Sequence, residues 1–484
     1  MNTIKPKNIT IVGAGLAGCF MGILLAKKGY HVTIYEQFSY HQYSVQNSNR
    51  SFNLTFYRYG IDLMKKAGLW SELKPIFRKM NYGVFHRRNA PPAYSKFGDG
   101  DNTYYVVERA ALLGALYKAA KKYPQISFHF NRSLLSINRH DKTITVKNNI
   151  SGKYTHDIYD ILIGADGVNS KVRPHMQAGS HGSHRQEYSD WTYKQIRIPA
   201  ELVKTISLEP NSSHIWPGKN SIIIAFPNDD DSVTAMLLLP KGGGGFTKLK
   251  SLPAVHNFMA EFYPSMLPIA KTLHECITKN PEGSFVSIYT DPWFYKDSIA
   301  LIGDAAHGVL PFYGQGVSAA FDDCITITGL LSKYHENWGK VFPEYQRSRK
   351  RNTDVLADIS KDNFYRLLRE QKADYMAVYD KLDDVIHGLF PRLWLPSLPR
   401  MVIANYAEFA DILERHNKQR SRAAYLGIPL AVFMVSQVYT FMQQCKEVLF
   451  TPVDMNMILP ERKCKDFYSR IKKFQSQNML PRFS

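Results

Sequence analysis

Three clusters of glycine and acidic side chains hold the chemistry this sequence can perform. The first is Gly13-Ala14-Gly15-Leu16-Ala17-Gly18, set between a strand-like run and an apolar helical pattern. Glycines at these positions let the backbone turn sharply, let a pyrophosphate approach a helix N-terminus and let the helix pack close to its strand. Glu36, at the end of the next strand-like run, stands where an acid can accept hydrogen bonds from an adenosine ribose. The second cluster is Gly164-Ala165-Asp166-Gly167, running on to Ser170, Val172 and Arg173. The third is Gly303-Asp304-Ala305-Ala306-His307, followed by Pro311-Phe312-Tyr313-Gly314-Gln315-Gly316. Dinucleotide binding follows from the first cluster with Glu36; the other two, taken singly, read as strand-ending turns. His307, behind two alanines, reads as structural and not as a catalytic base, and nothing calls for a metal.

The elements that must position these clusters are legible from hydrophobic period. Residues 8 to 36 give strand, helix, strand, the βαβ opening of a doubly wound sheet. From 45 to 110 polar loops alternate with short helical patterns, ending in the apolar run Tyr104 to Val107; a helix follows from Arg109 and stops before Pro124. Ile126 to Phe130, Thr143 to Val146 and Asp160 to Ala165 read as strands. Between 185 and 295 runs such as Ser221 to Phe226 and Val233 to Leu239, separated by Gly, Pro and Asp turns, predict a separate antiparallel sheet. A buried strand returns at Ile299, a helix runs through Thr328, and from 340 the pattern is helical. The expected fold class is therefore α/β: a Rossmann-like dinucleotide-binding domain (1–180 and 296–340), an inserted, mainly antiparallel β domain (181–295), a C-terminal helical region (341–445) and a basic tail (446–484).

A chain of 484 residues, 44% hydrophobic, can bury a large core in more than one part. The five cysteines are scattered with no CxxC or Cys/His spacing, which points to a reducing compartment and no structural zinc. No apolar leader with a small-residue cleavage site opens the chain, so an intracellular, cytoplasm-facing protein is expected. The net charge of +19 is spread along the chain, without a zinc-finger, RRM-like or helix-turn-helix signature, so no nucleic-acid partner is expected. Ala424 to Met442 carries no charge and follows Arg415, Lys418, Arg420 and Arg422. It reads either as a buried C-terminal helix or as a membrane anchor or interfacial helix.

Taken together, in this order and at these spacings, the three clusters resemble the fingerprints of the flavoprotein aromatic hydroxylases related to p-hydroxybenzoate hydroxylase. The finer resemblance, over roughly residues 8 to 442, is to the kynurenine 3-monooxygenase family. It includes Asn49-Arg50-Ser51-Phe52-Asn53-Leu54, His214-Ile215-Trp216-Pro217, Ala225-Phe226-Pro227-Asn228, Phe321-Asp322-Asp323-Cys324 and Asp362-Asn363-Phe364. The resemblance implies FAD as cofactor, with NADPH or NADH as co-substrate. Gly13, Gly15, Gly18, Glu36, Arg50, Arg109, Asp166 and Asp304 would bind the cofactor, Asp304 on the ribityl chain. Phe312, Tyr313, Gly314 and Gln315 would lie over the isoalloxazine, with Gly316, Val317 and Ser318, which open the helix behind them, also binding the cofactor. Tyr104 or Tyr105, Phe312 and Asn363 would face the substrate. The implied reaction is NAD(P)H reduction of FAD, addition of O2 as a C4a-hydroperoxide, and oxygen transfer to a small kynurenine-like aromatic to give the 3-hydroxy product. The basic, apolar C-terminal segment sits where the family carries its membrane-targeting segment, at the mitochondrial outer membrane in eukaryotes.

The likeness breaks at one position. The family carries an arginine for the substrate carboxylate in an M-x-G-R-x-x-H stretch; this chain reads Met80-Asn81-Tyr82-Gly83-Val84-Phe85-His86, with glycine in the arginine position. The family's pocket tyrosine is also missing around Pro396 to Arg400. Arg87, Arg88 or Arg400 would be the cation to compensate. The alternatives are a hydroxylase or epoxidase of the same fold acting on a more apolar substrate, and an FAD-binding protein that hydroxylates nothing.

Overall fold

In the computed structural model, which describes residues 8–40, 52–87, 90–95, 104–177, 182–206, 208–369, 375–404 and 408–425, two apolar runs lie side by side at the centre of one sheet. Asn8–Val12 pairs in parallel with Ile161–Gly164 on one side and with His31–Tyr35 on the other. Ile126–His129 and Ile299–Leu301 extend the parallel set, and Phe294–Tyr295 closes one edge antiparallel. Helices cover such a sheet, so its central strands carry unbroken apolar runs: Ile9, Ile11, Ile161, Leu162 and Ile163 are all buried. Helix α1 (Leu16–Lys27) packs against α2 (Arg109–Ala120) and α3 (Gly316–Lys333). Phe20 of α1 stacks on Phe321 of α3 with centroids 4.0 Å apart. That contact ties the chain's first helix to one 300 residues later, and such a pair adds about 0.5–1.5 kcal/mol beyond its burial.

A second, seven-stranded sheet runs in the order Gly283–Asp291, Ser183–Ile198, Val233–Pro240, Ser221–Pro227, Ser212–Gly218, Tyr82–Arg87, Ala90–Ser95. One face, carrying Ile196, Ile223 and Leu237, is covered by the helices Leu252–Phe262 and Ala270–Lys279 through Val255, Met259 and Leu273. The other, carrying Ile222, Ile224, Met236 and Leu238, meets Phe285, Leu310 and Phe364. Both faces are buried, which is why Ser221 to Phe226 and Val233 to Leu239 read as continuous apolar runs.

The block between 185 and 295 carries two helices that roof its mainly antiparallel sheet. One feature corrects the sequence reading. Two of the sheet's seven strands come from 82–95, a region read as polar loop and short helix, and Tyr82–Arg87 joins the sheet in parallel with Ser212–Gly218. The small sheet Asn53–Phe56, Tyr104–Glu108, Arg78–Met80 lies in the same stretch.

Helix α4 (Trp338–Arg369) is 32 residues long, roughly 48 Å at 1.5 Å per residue. It buries Trp338, Phe342 and Tyr345 in the core of the parallel sheet and Phe364 in that of the second sheet. Helices α5 (Tyr375–Leu389), α6 (Leu398–Ala404) and α7 (Phe409–Tyr425) follow, with Met401, Val402, Phe409 and Ile412 against Leu356 and Ile359 of α4. The chain divides into two units, residues 1–422 and 423–484. Ala424 and Tyr425 end α7, while 426–442 lies outside the described residues; among those that are described, no helix is long and apolar enough to cross a membrane.

Candidate active site

The first glycine cluster makes the turn its composition demands. Gly13 has φ +102°, and a Cβ there would lie 2.5 Å from the Ala165 carbonyl oxygen; a Cβ on Gly18 would lie 2.0 Å from that of Gly13. Nothing stands within 4 Å of the Cβ position of Gly15, which faces open space at the start of α1. The buried Glu36 carboxylate accepts from the Ala14 N–H at 2.9 Å and the Phe38 N–H at 3.1 Å, so it pins the turn to the second strand. Burial raises its pKa, and the backbone donors oppose that rise. A carboxylate has about four lone-pair positions, so Glu36 keeps capacity for a ribose hydroxyl.

Asp166 uses Oδ2 to accept from the N–H groups of Lys171 at 2.6 Å and Val172 at 3.2 Å, capping the helix Val172–Gln177. Its Oδ1 is buried with no hydrogen-bond partner among the described residues. The residue that joins the second cluster to the third is Arg173, to which the sequence reading gave no role. Its Nε donates to the Ala305 carbonyl at 2.8 Å, and its Nη2 to the carbonyls of Gly167, Val168 and Asp304 at 3.1–3.3 Å. A buried arginine a few residues past an Asp-Gly turn was the available signal: its donors must go to carbonyls that two turns bring together.

The third cluster rests on a buried ionic network. Asp323 of α3 accepts from the Gly303 N–H at 2.9 Å and from Arg349 Nε at 3.1 Å, with His307 Nε2 at 2.6 Å. Arg349 also bonds Asp322, which accepts from the Tyr59 hydroxyl at 2.6 Å. Burial pushes the Asp323 carboxyl up, but His307, Arg349 and the Gly303 N–H outweigh it and hold the group below the usual carboxylate range. His307 is thus engaged in the core, while Asp304, three residues before it, opens onto a cavity. Desolvation by the surrounding protein raises the pKa of Asp304, opposed by His307, Arg109 and Arg173.

That cavity, of about 520 Å³, is where the clusters meet. Gly15, Leu16, Ala17, Arg109, Ala165, Gly167 and Asp304 line one end. Pro311, Phe312, Tyr313, Gly314, Gly316 and Val317 line its middle. Gly314 has φ +64°, which turns the chain from the single turn Pro311–Tyr313 into the N-terminus of α3. Asn363 of α4 donates to the Phe312 carbonyl at 2.9 Å, and the Phe312 ring stacks on Phe364 at 4.3 Å. Both amide atoms of Gln315 and the Ser318 hydroxyl are buried with no hydrogen-bond partner among the described residues. Orphaned groups beside a helix N-terminus, an open glycine turn and a carboxylate facing the cavity fit a bound pyrophosphate, ribityl chain and heterocycle.

The opposite wall is the second sheet, through Phe85, Ser213, Ile215, Ile224, Phe226 and Met236. Of the two tyrosines expected at the substrate, Tyr104 lines the cavity, its hydroxyl donating to the Tyr82 carbonyl at 2.9 Å and meeting Ser213 Oγ at 2.9 Å. Tyr105 does not: alternation along the strand turns it to the other face, against Trp70. Gly83 pairs with Ser213 on one side and Ser95 on the other, both of which line the cavity, so a side chain at 83 would enter it. His86 lies on the far face, stacked on Trp216 at 4.2 Å and 2.9 Å from His214 Nδ1.

Among the residues expected to compensate for Gly83, Arg400 is turned toward Asp384 at 3.7 Å, Arg88 lies outside the described residues, and so does the side chain of Arg87. Arg50, expected at the cofactor, also lies outside them. Gly13, Gly18, Glu36, Asp166, Gln315 and Ser318, expected at the cofactor or over its ring system, do not line the cavity. Its third side is helical, through Asn363, Arg366 and Leu367 of α4, Asp380 and Lys381 of α5, and Ser397, Pro399 and Ile403.

Residues 7–247 match the family model of an FAD binding domain. A kynurenine 3-monooxygenase of Legionella pneumophila (strain Corby) is 35% identical over 363 residues, 75% of this chain and 80% of that protein. Another, of Salinispora arenicola (strain CNS-205), is 33% identical over 434 residues, 88% and 95% of the two chains. Among solved structures the tetrameric form of 2-methyl-3-hydroxypyridine-5-carboxylic acid oxygenase superposes with a TM-score of 0.64 over 77% of this chain and 94% of that one, at 18% identity, a likeness of fold.

Proposed function

The chain belongs to the kynurenine 3-monooxygenase family, and from that membership we propose that it hydroxylates a kynurenine-type substrate beside the ring amino group, giving a 3-hydroxykynurenine-type product. It is an FAD-dependent flavoprotein monooxygenase that acts on an aromatic substrate and consumes O2 and a reduced nicotinamide. FAD, when bound, carries electrons from the nicotinamide to O2 and one oxygen atom to the ring, leaving water and the oxidised nicotinamide.

The observation that carries the reading is a single cavity that joins all three glycine-acid clusters to an apolar chamber. In this reading Gly13 makes the tight turn, Gly18 lets α1 pack close to it, and Gly15 leaves room for the pyrophosphate at the N-terminus of α1, with Glu36 at the ribose. Asp304 accepts from ribityl hydroxyls and Arg109 approaches from the start of α2. The Gly316, Val317 and Ser318 end of α3, with the orphaned Gln315 amide, favours negative charge on the reduced ring system. Phe226, Met236, Ile215 and Ile224 exclude water from the chamber, and Asn363 holds the Phe312 carbonyl so that the Pro311 to Gly314 loop keeps its place beneath the substrate.

Membrane association is part of the same proposal. Ala424 to Met442 carries no charge and follows four cations, a pattern suited to lying at an anionic lipid surface. Flotation with anionic vesicles before and after removal of 424–484 tests it; equal flotation contradicts it. The catalytic reading is tested on purified protein with FAD: kynurenine should accelerate NADPH oxidation, with O2 uptake matched by hydroxylated product. NADPH oxidation indifferent to kynurenine, or yielding only hydrogen peroxide, overturns it.

A further inference from the structure

Among the described residues no cation lines the sheet wall of the chamber that should receive an amino-acid substrate, and the strand position facing it is Gly83. Positive charge enters from the opposite side. Arg366 of α4 and Lys381 of α5 both line the cavity, with one carboxylate, Asp380, between the two helices. Asp380 is bonded by Arg366 and approached by Arg420 at 3.5 Å, so that two guanidinium groups share this carboxylate. Of the neighbouring acids, Asp384 faces Arg400 at 3.7 Å, while Asp383, whose Oδ1 accepts from the Trp394 indole at 2.9 Å, clusters with Asp380 and His416, and Asp362 stands one turn before Arg366 on α4. The remaining charged groups that line the cavity, Arg109 and Asp304, belong to its cofactor end.

Position agrees with charge. Arg366 lies three residues after Asn363, on the same face of α4, and Asn363 donates to the Phe312 carbonyl. The backbone of Arg366 therefore stands about one helical turn, roughly 4.5 Å along the axis, from that of the residue that holds the loop beneath the aromatic ring. Its side chain is only 19% exposed, which strengthens any pairing with an anion, and a guanidinium has five donors, more than Asp380 can use.

We propose that Arg366, oriented by Asp380 and with Lys381 beside it, is the cation that receives the carboxylate of the substrate, moved from the sheet wall to the helical wall in this chain. The substrate class is then an aromatic amine whose side chain ends in a carboxylate, ring toward Phe312 and acid toward α4. This rests on the reading of the chain as a kynurenine-type hydroxylase.

The test compares kynurenine with its decarboxylated amine, kynuramine, on the FAD-loaded enzyme and its Arg366→Met, Arg366→Lys and Lys381→Met variants. Arg366→Met should raise KM for the acid about ten- to a hundredfold and abolish the preference for acid over amine. Arg366→Lys should restore part of that preference, and Lys381→Met should weaken it less. Arg366 also joins α4 to α5, so flavin content is measured alongside. If Arg366→Met loses its flavin, Arg366→Lys decides: a rise in KM confined to the acid supports the proposal, and none overturns it. A flavin-loaded Arg366→Met that keeps the wild-type acid preference overturns the proposal and leaves the catalytic reading standing. If neither compound accelerates NADPH oxidation by the wild-type enzyme, both fall.

Discussion

At the scale of single residues, the acids and glycines that sequence alone picked out divide by what they touch. Asp304 opens onto the cavity, whereas Asp166 spends one oxygen capping a helix and Glu36 pins a turn. Asp304→Ala removes an acceptor that no neighbour replaces, so flavin affinity should fall about tenfold or more, read by fluorescence titration of the apoprotein. In an Arg366→Met background, Gly83→Arg would place a guanidinium between Ser95 and Ser213, and kynurenine-type acids should then bind about ten- to a hundredfold tighter than to Arg366→Met alone. Equal affinity in the two proteins would contradict the placement of 83 on the cavity wall. Which of Tyr104 and Tyr105 faces the substrate was not legible, because the answer depends on the register of Tyr104–Glu108 with strands at 53 and 78. Arg366 was invisible for a similar reason: its significance comes from Asn363 one turn earlier and from a glycine far away in sequence.

At the scale of elements, the turns were legible where glycine was obligatory, and the sheet edge was not. Gly13 and Gly314 adopt positive φ in the very motifs that announced them. Ala90–Ser95 contains two consecutive prolines, which argue against a strand, yet it survives as one at the sheet's edge, where missing N–H donors cost little. Gly314→Ala should cost about 1–2 kcal/mol from its left-handed backbone alone, and it brings a Cβ to 3.0 Å from Thr55, so the loop beneath the substrate should shift and turnover fall more than stability does. Arg349→Met leaves the buried Asp323 and the partly buried Asp322 without their guanidinium and should destabilise the fold by about 3–5 kcal/mol in urea unfolding. On the far face of the second sheet, burial lowers both His86 and His214 to about 4. Unfolded histidine titrates near about 6.5, so the unfolded chain binds more protons between these values. Stability from this pair is full above the unfolded value and is lost as pH falls toward 4. His86→Phe, which keeps the stack on Trp216, should flatten that acid-side loss in thermal melts recorded from pH 7 to 4.5.

At the scale of the whole molecule, the α/β fold, the inserted sheet and the helical C-terminal part were all readable from hydrophobic period, because most of these elements are buried runs whose pattern leaves few choices. The convergence of three short turns separated by more than a hundred residues was not readable from spacing, and came only from resemblance. Physically it is made by the stack of Phe20 on Phe321, by Arg173 reaching the carbonyls of Asp304 and Ala305, and by Asp323 holding Gly303. The most direct measurement of that convergence is the visible spectrum of the purified chain after incubation with FAD and gel filtration. A stoichiometric flavin that bleaches with NADPH faster when kynurenine is present is the expected result; a colourless protein that retains no FAD would contradict it.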